Sequence, residues 1–175
     1  MSMDIRIRRV ETFDDRELQG LCEVLEDCVQ GGASVSFMHP MHRDKSQAFW
    51  QGVARSAQQG ERLVYVAEDA QGGIVGTVQV VWAQPENQPH RADVAKMLVH
   101  RRARRQGLGA ALLTAAEQGA LAAGKTLLVL DTVTDSDGWR LYSRQGWQRV
   151  GDIPDYALWP DGRPCPTTVF YKPLR

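Results

Sequence analysis

Apolar residues in the segment "DDRELQGLCEVLEDCVQGG" recur every three or four positions (Leu18, Leu21, Cys22, Leu25, Cys28, Val29), which predicts a helix with one buried face. Asp14 or Asp15 can cap its start, and Gly31 and Gly32 end it. The same period in "RDKSQAFWQGVARSAQQG" predicts a second helix with Phe49, Trp50, Val53 and Ala57 inward, Asp44 as its cap and Gly60 as its stop. The intervening "ASVSFMHPMH" has no helical period and reads as a loop, while "DIRIRRV" before the first helix reads as a strand. The β-rich runs "RLVYVAED" and "IVGTVQVVW" flank "AQGG", which is a hairpin signature. A third run, "ADVAKMLV", follows the loop "AQPENQPHR". Then come a helix (Leu108, Leu112, Ala115, Ala122), a strand ("TLLVLDTV") and a short helix ("DSDGWRLYSRQG", closed by Gly146). Two further strands, "WQRVGDI" and "TTVFYKP", stand on either side of a Pro/Gly-rich loop.

An antiparallel meander feeding a strand-helix-strand unit predicts an α/β fold: a mixed, mostly antiparallel sheet with helices on both faces. The unit from Ala92 to Val133 is long enough to join two parallel neighbouring strands. At 175 residues, the chain is expected to form one domain over 1–175. Its 21 basic and 21 acidic side chains balance, which weighs against a nucleic-acid partner. Cys22, Cys28 and Cys165 form no CxxC and read as reduced thiols. With no apolar leader in "MSMDIRIRRV" and no run long enough to span a bilayer, the expected location is cytoplasmic, without membrane attachment.

The chemistry concentrates in "VHRRARRQGLGAALLTAAEQGALAAG", where four arginines precede Gly107-Leu108-Gly109 and a helix. The first turn of a helix offers unpaired amides and the positive end of its dipole, and glycine lets an anion approach the backbone. A pyrophosphate suits that arrangement. Neither GxxxxGK[ST] nor GxGxxG is present, so Walker-type and Rossmann nucleotide sites are disfavoured.

"MLVHRRARRQGLGAALL" resembles the coenzyme A motif of the GNAT N-acetyltransferases, an apolar strand followed by [Q/R]xxGx[G/A], with Arg104, Gly107 and Gly109 at the defining positions. "LLVLDTVTDSDGWRLYSRQGW" resembles the family's next strand and helix, with Leu141, Tyr142, Gly146 and Trp147 matching LYxxxGF. Within the family, "RADVAKMLV" and "IPDYALWPDGRPCPTTVFYK" are most similar to the tabtoxin-resistance acetyltransferases.

The resemblance implies acetyl-CoA as co-substrate, bound at a splayed pair of parallel strands. Its pyrophosphate would lie on Arg104, Arg105, Gln106, Gly107, Leu108, Gly109 and Ala110, and its pantetheine along Met97, Leu98 and Val99. A backbone N–H near Leu98 is the implied oxyanion donor, and Tyr142 the implied acid for the departing thiolate. Without the motif, Tyr142 reads as a packed aromatic beside Trp139 and Leu141. The acceptor amine must shed a proton, for which Asp93 and Asp131 are candidates. As strand residues, Asp93 shares a face with Ala95, Met97 and Val99, and Asp131 shares one with Leu127 and Val129. Asp131 stands where the family usually has an aliphatic residue, so it reads equally as a partner for a cationic acceptor or as a pairing with a nearby arginine or a strand-end cap. Asp135 stands where many relatives have a cofactor-contacting asparagine, and reads here as a helix cap.

Phe37, His39 and His90 are candidate acceptor contacts. His39 and His42 form HxxH, but Pro40 opposes a helix there and no third ligand is evident, so no metal is expected. Tyr156 and Trp159 either close over the site or pack the sheet edge, and Arg101 and Arg102 either reach the coenzyme's outer phosphate or face solvent. The functional expectation is an acetyl-CoA-dependent N-acetyltransferase acting by direct attack in a ternary complex on the primary amine of a small molecule (an amino-acid-like metabolite, a toxin or an antibiotic), as a monomer or homodimer. The alternatives are a catalytically silent CoA-binding protein of the same fold and a nucleic-acid module using the arginines.

Overall fold

The computed structural model describes residues 5–175, so the reading of the segment that begins at Met1 is tested only from Ile5 onward. The elements run β1 (Arg6–Arg9), α1 (Asp15–Gln30), α2 (Arg43–Gln58), β2 (Arg62–Glu68), β3 (Ile74–Trp82), β4 (Arg91–Val99), a 3-10 turn (Arg101–Ala103), α3 (Leu108–Ala122), β5 (Leu127–Val133), α4 (Asp137–Arg144), β6 (Gln148–Leu158) and β7 (Pro164–Pro173). The strands form one seven-stranded sheet in the order β1-β2-β3-β4-β5-β7-β6. Among the described residues only β4 and β5 pair in parallel, joined by the α3 crossover.

Two cores sandwich the sheet. Leu21, Val24, Leu25 and Val29 of α1 and Trp50 and Val53 of α2 pack with Val64, Val66 and Leu98 on one face. On the other, Leu108, Leu112, Leu113 and Ala116 of α3 and Tyr142 of α4 pack with Val78, Val80, Val94, Leu128 and Phe170. Each fully buried leucine in these layers contributes about 1.5–3 kcal/mol relative to exposure. Glu117 of α3 accepts from Trp147 Nε1 (2.9 Å) and Lys172 Nζ (2.7 Å), tying the crossover helix to β7 and to the end of α4.

Several local expectations change. Asp14 caps α1, its side chain accepting from Glu17 N–H at 2.9 Å. Asp44, in contrast, lies within the first turn of α2; His42 is the cap residue, with no side-chain cap bond. Asp135 does not cap α4, because its backbone is left-handed (φ 61°) and Ser136 accepts from Trp139 N–H instead. The Pro/Gly-rich stretch is mostly a hairpin: β6 continues to Leu158 and β7 begins at Pro164. Pro154 is tolerated because β6 is an edge strand and the proline falls inside the register shift between Ile153 and Ala157. Tyr156 therefore stands exposed on the sheet edge rather than over a cleft.

Candidate active site

Parallel pairing of β4 with β5 lasts only three residue pairs, Arg91 with Leu127, Ala92 with Leu128 and Asp93 with Val129. Beyond Asp93 the strands part. On its other side, β4 is paired with β3 through a bulge: Gln79 opposes Ala95 and Thr77 opposes Leu98, so Lys96 and Met97 together face Val78. Lys96 takes a left-handed conformation (φ 51°) to make it. The extra residue re-phases the strand. Val94 lies in the α3 core and Leu98 in the α1–α2 core, though both positions are even. Met97 and Val99 pack toward α3, so they do not share a face with Asp93 and Ala95 as simple alternation predicts.

The same register assigns the amides. His100 N–H donates to Val75 O at 2.8 Å, and by strand alternation Leu98, paired with Thr77, turns its amide toward β3. Val99 is left with its amide on the splayed side. The expectation of a free donor at Leu98 thus moves by one residue, because the bulge was not visible in the sequence.

The turn after β4 holds the four arginines in different situations. Arg101 donates to Asp27 through its backbone amide (2.8 Å) and its Nε (2.9 Å), pinning the turn to α1. Burial alone would raise the Asp27 carboxyl, but these two bonds and the nearby His100 hold it below the usual carboxylate range. Arg102 pairs with Asp69 at 3.2 Å, and Asp69 also accepts from Gly73 N–H, so Arg102 locks the β2–β3 turn. Arg104 donates from Nε to Val99 O (3.1 Å). Arg105, Gln106 and Gly107 are exposed, with Arg105 and Gly107 left-handed at φ 61° and 78°. Helix α3 begins at Leu108 with Gly107 as its cap residue and no side-chain cap bond, so its first-turn amides point outward unclaimed. Gly109 has a packing reason as well: a Cβ there would stand 3.0 Å from Leu141 Cδ2 of α4.

Across the splay, Tyr142 is 5% exposed, wedged between Trp147 and Phe170 at ring-centroid distances of 5.7 and 6.1 Å. Burial pushes its phenol well above the ordinary tyrosine value, and the Asp131 carboxylate adds to that. Asp131 on β5 is exposed and accepts from Thr167 Oγ1 at 2.9 Å, a neutral partner rather than the arginine a local pair would require. Its field also reaches Lys96, whose ammonium is pulled below the ordinary lysine value by burial, with Asp131 opposing. Lys96 Nζ donates to Ser36 Oγ (3.0 Å) and lies 5.8 Å from the Phe49 ring centroid. Asp131 and Lys96 thus stand on the two strands just beyond the rung where they part.

The loop between α1 and α2 walls the cleft between these strands. Phe37 packs edge-on against Phe49 (5.2 Å). His39 donates its amide to Pro160 O (3.0 Å) and Ser34 Oγ donates to Leu158 O (2.8 Å), tying the loop to the β6–β7 hairpin. Trp159, in the turn of that hairpin, is partly buried. The structure does not bring His90 to the cleft, and Asp93 stands at its inner end, engaged by Arg91. The carbonyl of His90 accepts from the amides of Thr126 and Leu127 at the closed end of the strand pair. Asp93 pairs with Arg91 at 2.8 Å on the last rung of the parallel ladder. Lys96, Ser36 and Thr167 were not among the sequence candidates; the available signal was a lysine interrupting the apolar run "VAKMLV".

Residues 60–149 match the family model described as an acetyltransferase (GNAT) domain. An uncharacterized N-acetyltransferase of the hisH–hisA intergenic region of Azospirillum brasilense is 31% identical over 130 residues, covering 73% of this chain and 75% of that protein. The fold is shared with an N-acetyltransferase from Staphylococcus aureus Mu50 (TM-score 0.81, 17% identity, 98% and 99% of the two chains covered). It is shared also with a ribosomal-protein-alanine N-acetyltransferase from Brucella melitensis (0.81, 20%, 97% and 99%). A third likeness is to a phosphinothricin acetyltransferase from Sinorhizobium meliloti in complex with acetyl-CoA (0.78, 18%, 99% and 89%). A mixed sheet splayed at one parallel pair, a family match over half of the chain and a relative above 30% identity lead to one conclusion: the chain belongs to the GNAT family of N-acetyltransferases and is an acyltransferase.

Proposed function

We propose that this chain transfers an acetyl group from acetyl-CoA to the primary amine of a small molecule, with both bound at the β4–β5 splay. The observation that carries the reading is the three-pair parallel ladder, which opens a cleft between the uncapped start of α3 and Tyr142. The residues present suit the coenzyme. The outward amides at Leu108, Gly109 and Ala110, with Arg104, Arg105, Gln106 and Gly107, would hold its pyrophosphate. The splayed side of Met97–Val99 offers strand-like pairing to its pantetheine. Arg101 and Arg102 have no part in it, being engaged by Asp27 and Asp69.

Acetyl-CoA bound there supplies a thioester whose acetyl carbon accepts the amine nitrogen as the C–S bond breaks. A backbone amide on the splayed side of Met97–Val99 would donate to the acyl oxygen as negative charge develops on it. Tyr142 holds a proton on its phenolic oxygen for the departing sulfur; a phenol raised by burial keeps that proton through neutral pH. Asp131 attracts the acceptor as an ammonium, and the proton lost before attack passes through it or through water. The fold is shared with enzymes whose names specify either a ribosomal protein or phosphinothricin, so the acceptor must be argued from the pocket. The closed loop 33–41 and the likeness of "RADVAKMLV" to tabtoxin-resistance acetyltransferases support a small one.

Thiol release from acetyl-CoA with panels of amino acids, polyamines, aminoglycosides and peptides tests the reading. Amine-dependent release is the expected result. Tight CoA binding without release for any amine would make the chain a silent binder of the same fold.

A further inference from the structure

The cleft holds a cation and an anion, and among the described residues neither is neutralised by the protein. Lys96 Nζ has Ser36 Oγ as its hydrogen-bond partner and the Phe49 ring nearby, both uncharged. Asp131 has the Thr167 hydroxyl. Lys96 and Asp131 stand three and two residues beyond the last rung of the parallel ladder, Asp93 with Val129, on the two strands that part there, and among the described residues they form no ion pair within 4.0 Å. Both ends of the Lys96–Ser36 hydrogen bond are non-glycine residues in the left-handed region, φ 51° and 79°. Such strain persists only where the surroundings hold it, and it clusters at ligand clamps.

A simple monoamine entering this cleft would satisfy Asp131 and leave Lys96 uncompensated. A molecule carrying an ammonium and a carboxylate on neighbouring carbons compensates both. We propose that Lys96 and Ser36 form a carboxylate subsite and Asp131 an ammonium subsite, so that the acceptor is an α-amino acid or a close zwitterionic analogue. The Phe37–Phe49 pair lines the Lys96 side of the same pocket, giving the acceptor's carbon skeleton an apolar wall. The proposal rests on the acetyl-transfer reading for the fate of the nitrogen, but the subsite is a binding property.

The test compares each common α-amino acid with its decarboxylated amine, in the wild type, Lys96→Gln and Ser36→Ala. The wild type should favour its best amino acid over the matched amine by about a hundredfold in kcat/KM, the scale for a partly buried charge pair. Lys96→Gln should collapse that ratio to within about threefold, mainly through KM, and Ser36→Ala, at an exposed position, should lower it by about tenfold. Calorimetry of the same amino acids against the protein saturated with CoA reads the subsite without turnover. There, Lys96→Gln should weaken binding by at least about tenfold. A wild-type ratio near one, or a ratio unchanged in Lys96→Gln, overturns the subsite. Amino-acid binding that depends on Lys96 without thiol release would instead overturn the acetyl-transfer reading and keep the subsite. If Lys96→Gln does not fold, Ser36→Ala and the wild-type ratio decide.

Discussion

The acid role proposed for Tyr142 rests on its surroundings. The phenol sits in an apolar layer with Trp147 and Phe170, where its ionised form is disfavoured. Because its acid constant is displaced upward, the proton stays in place well above the pH at which an ordinary phenol loses it. Tyr142→Phe should therefore lower kcat by about a hundredfold or more. The wild-type rate should rise with pH as the amine deprotonates and show no alkaline fall below about pH 10. A pH–rate profile of both proteins checks this. Asp131→Asn should raise the acceptor KM by about tenfold or more while leaving CoA binding intact, because the role proposed for Asp131 is to meet the amine and not the coenzyme. Tyr142 and Asp131 were legible as residue types in a motif and a strand. Lys96 was not, since its orientation follows from a bulge that no local composition announces.

Elements position these groups through a few joints. The turn after β4 is fixed to α1 by Asp27, which accepts from both the amide and the guanidinium of Arg101. Asp27→Ala should cost about 1–2 kcal/mol of stability, read by urea denaturation, and should weaken CoA binding by loosening the turn. The Asp27 carboxyl has a folded-state value below its unfolded one. Its contribution is therefore present above about pH 4 and is lost as pH falls through the folded value, so variant and wild type should converge in acid. At the cap of α3, Gly107→Ala meets no neighbour but must hold φ 78°, costing about 1–2 kcal/mol, and Gly109→Ala collides with Leu141. Most elements were legible because the apolar period holds along α1 and α2, and on α1 the Asp14 cap agrees with it. The boundaries that moved did so for tertiary reasons. Ser136 outcompeted Asp135 once Asp135 was forced left-handed, and β6 ran through Pro154 because an edge strand needs no donor there.

At the scale of the molecule, two helical layers clamp a sheet that is continuous except at one parallel pair, and that gap is where strand, turn, helix and the α1–α2 loop meet. The balanced charge of 21 against 21 leaves the arginines as local devices, two of them committed to ion pairs. A ligand bridging β4 and α3 should stabilise the whole fold. At a hundred times its dissociation constant, acetyl-CoA should add about 2.7 kcal/mol, or roughly 5–10 °C in Tm for a chain of this size. None of the described helices is long and apolar enough to cross a membrane. The arrangement of cleft, unclaimed amides and buried phenol makes one central claim, that this chain joins an acetyl group to an acceptor amine at the splay. The direct measurement is mass-spectrometric detection of the acetylated acceptor with stoichiometric CoA release, for the wild type and Tyr142→Phe side by side. An N-acetyl product at one CoA per turnover, formed about a hundredfold more slowly by Tyr142→Phe, is the predicted result. CoA release without an acetylated amine, or equal rates in the two proteins, would contradict it.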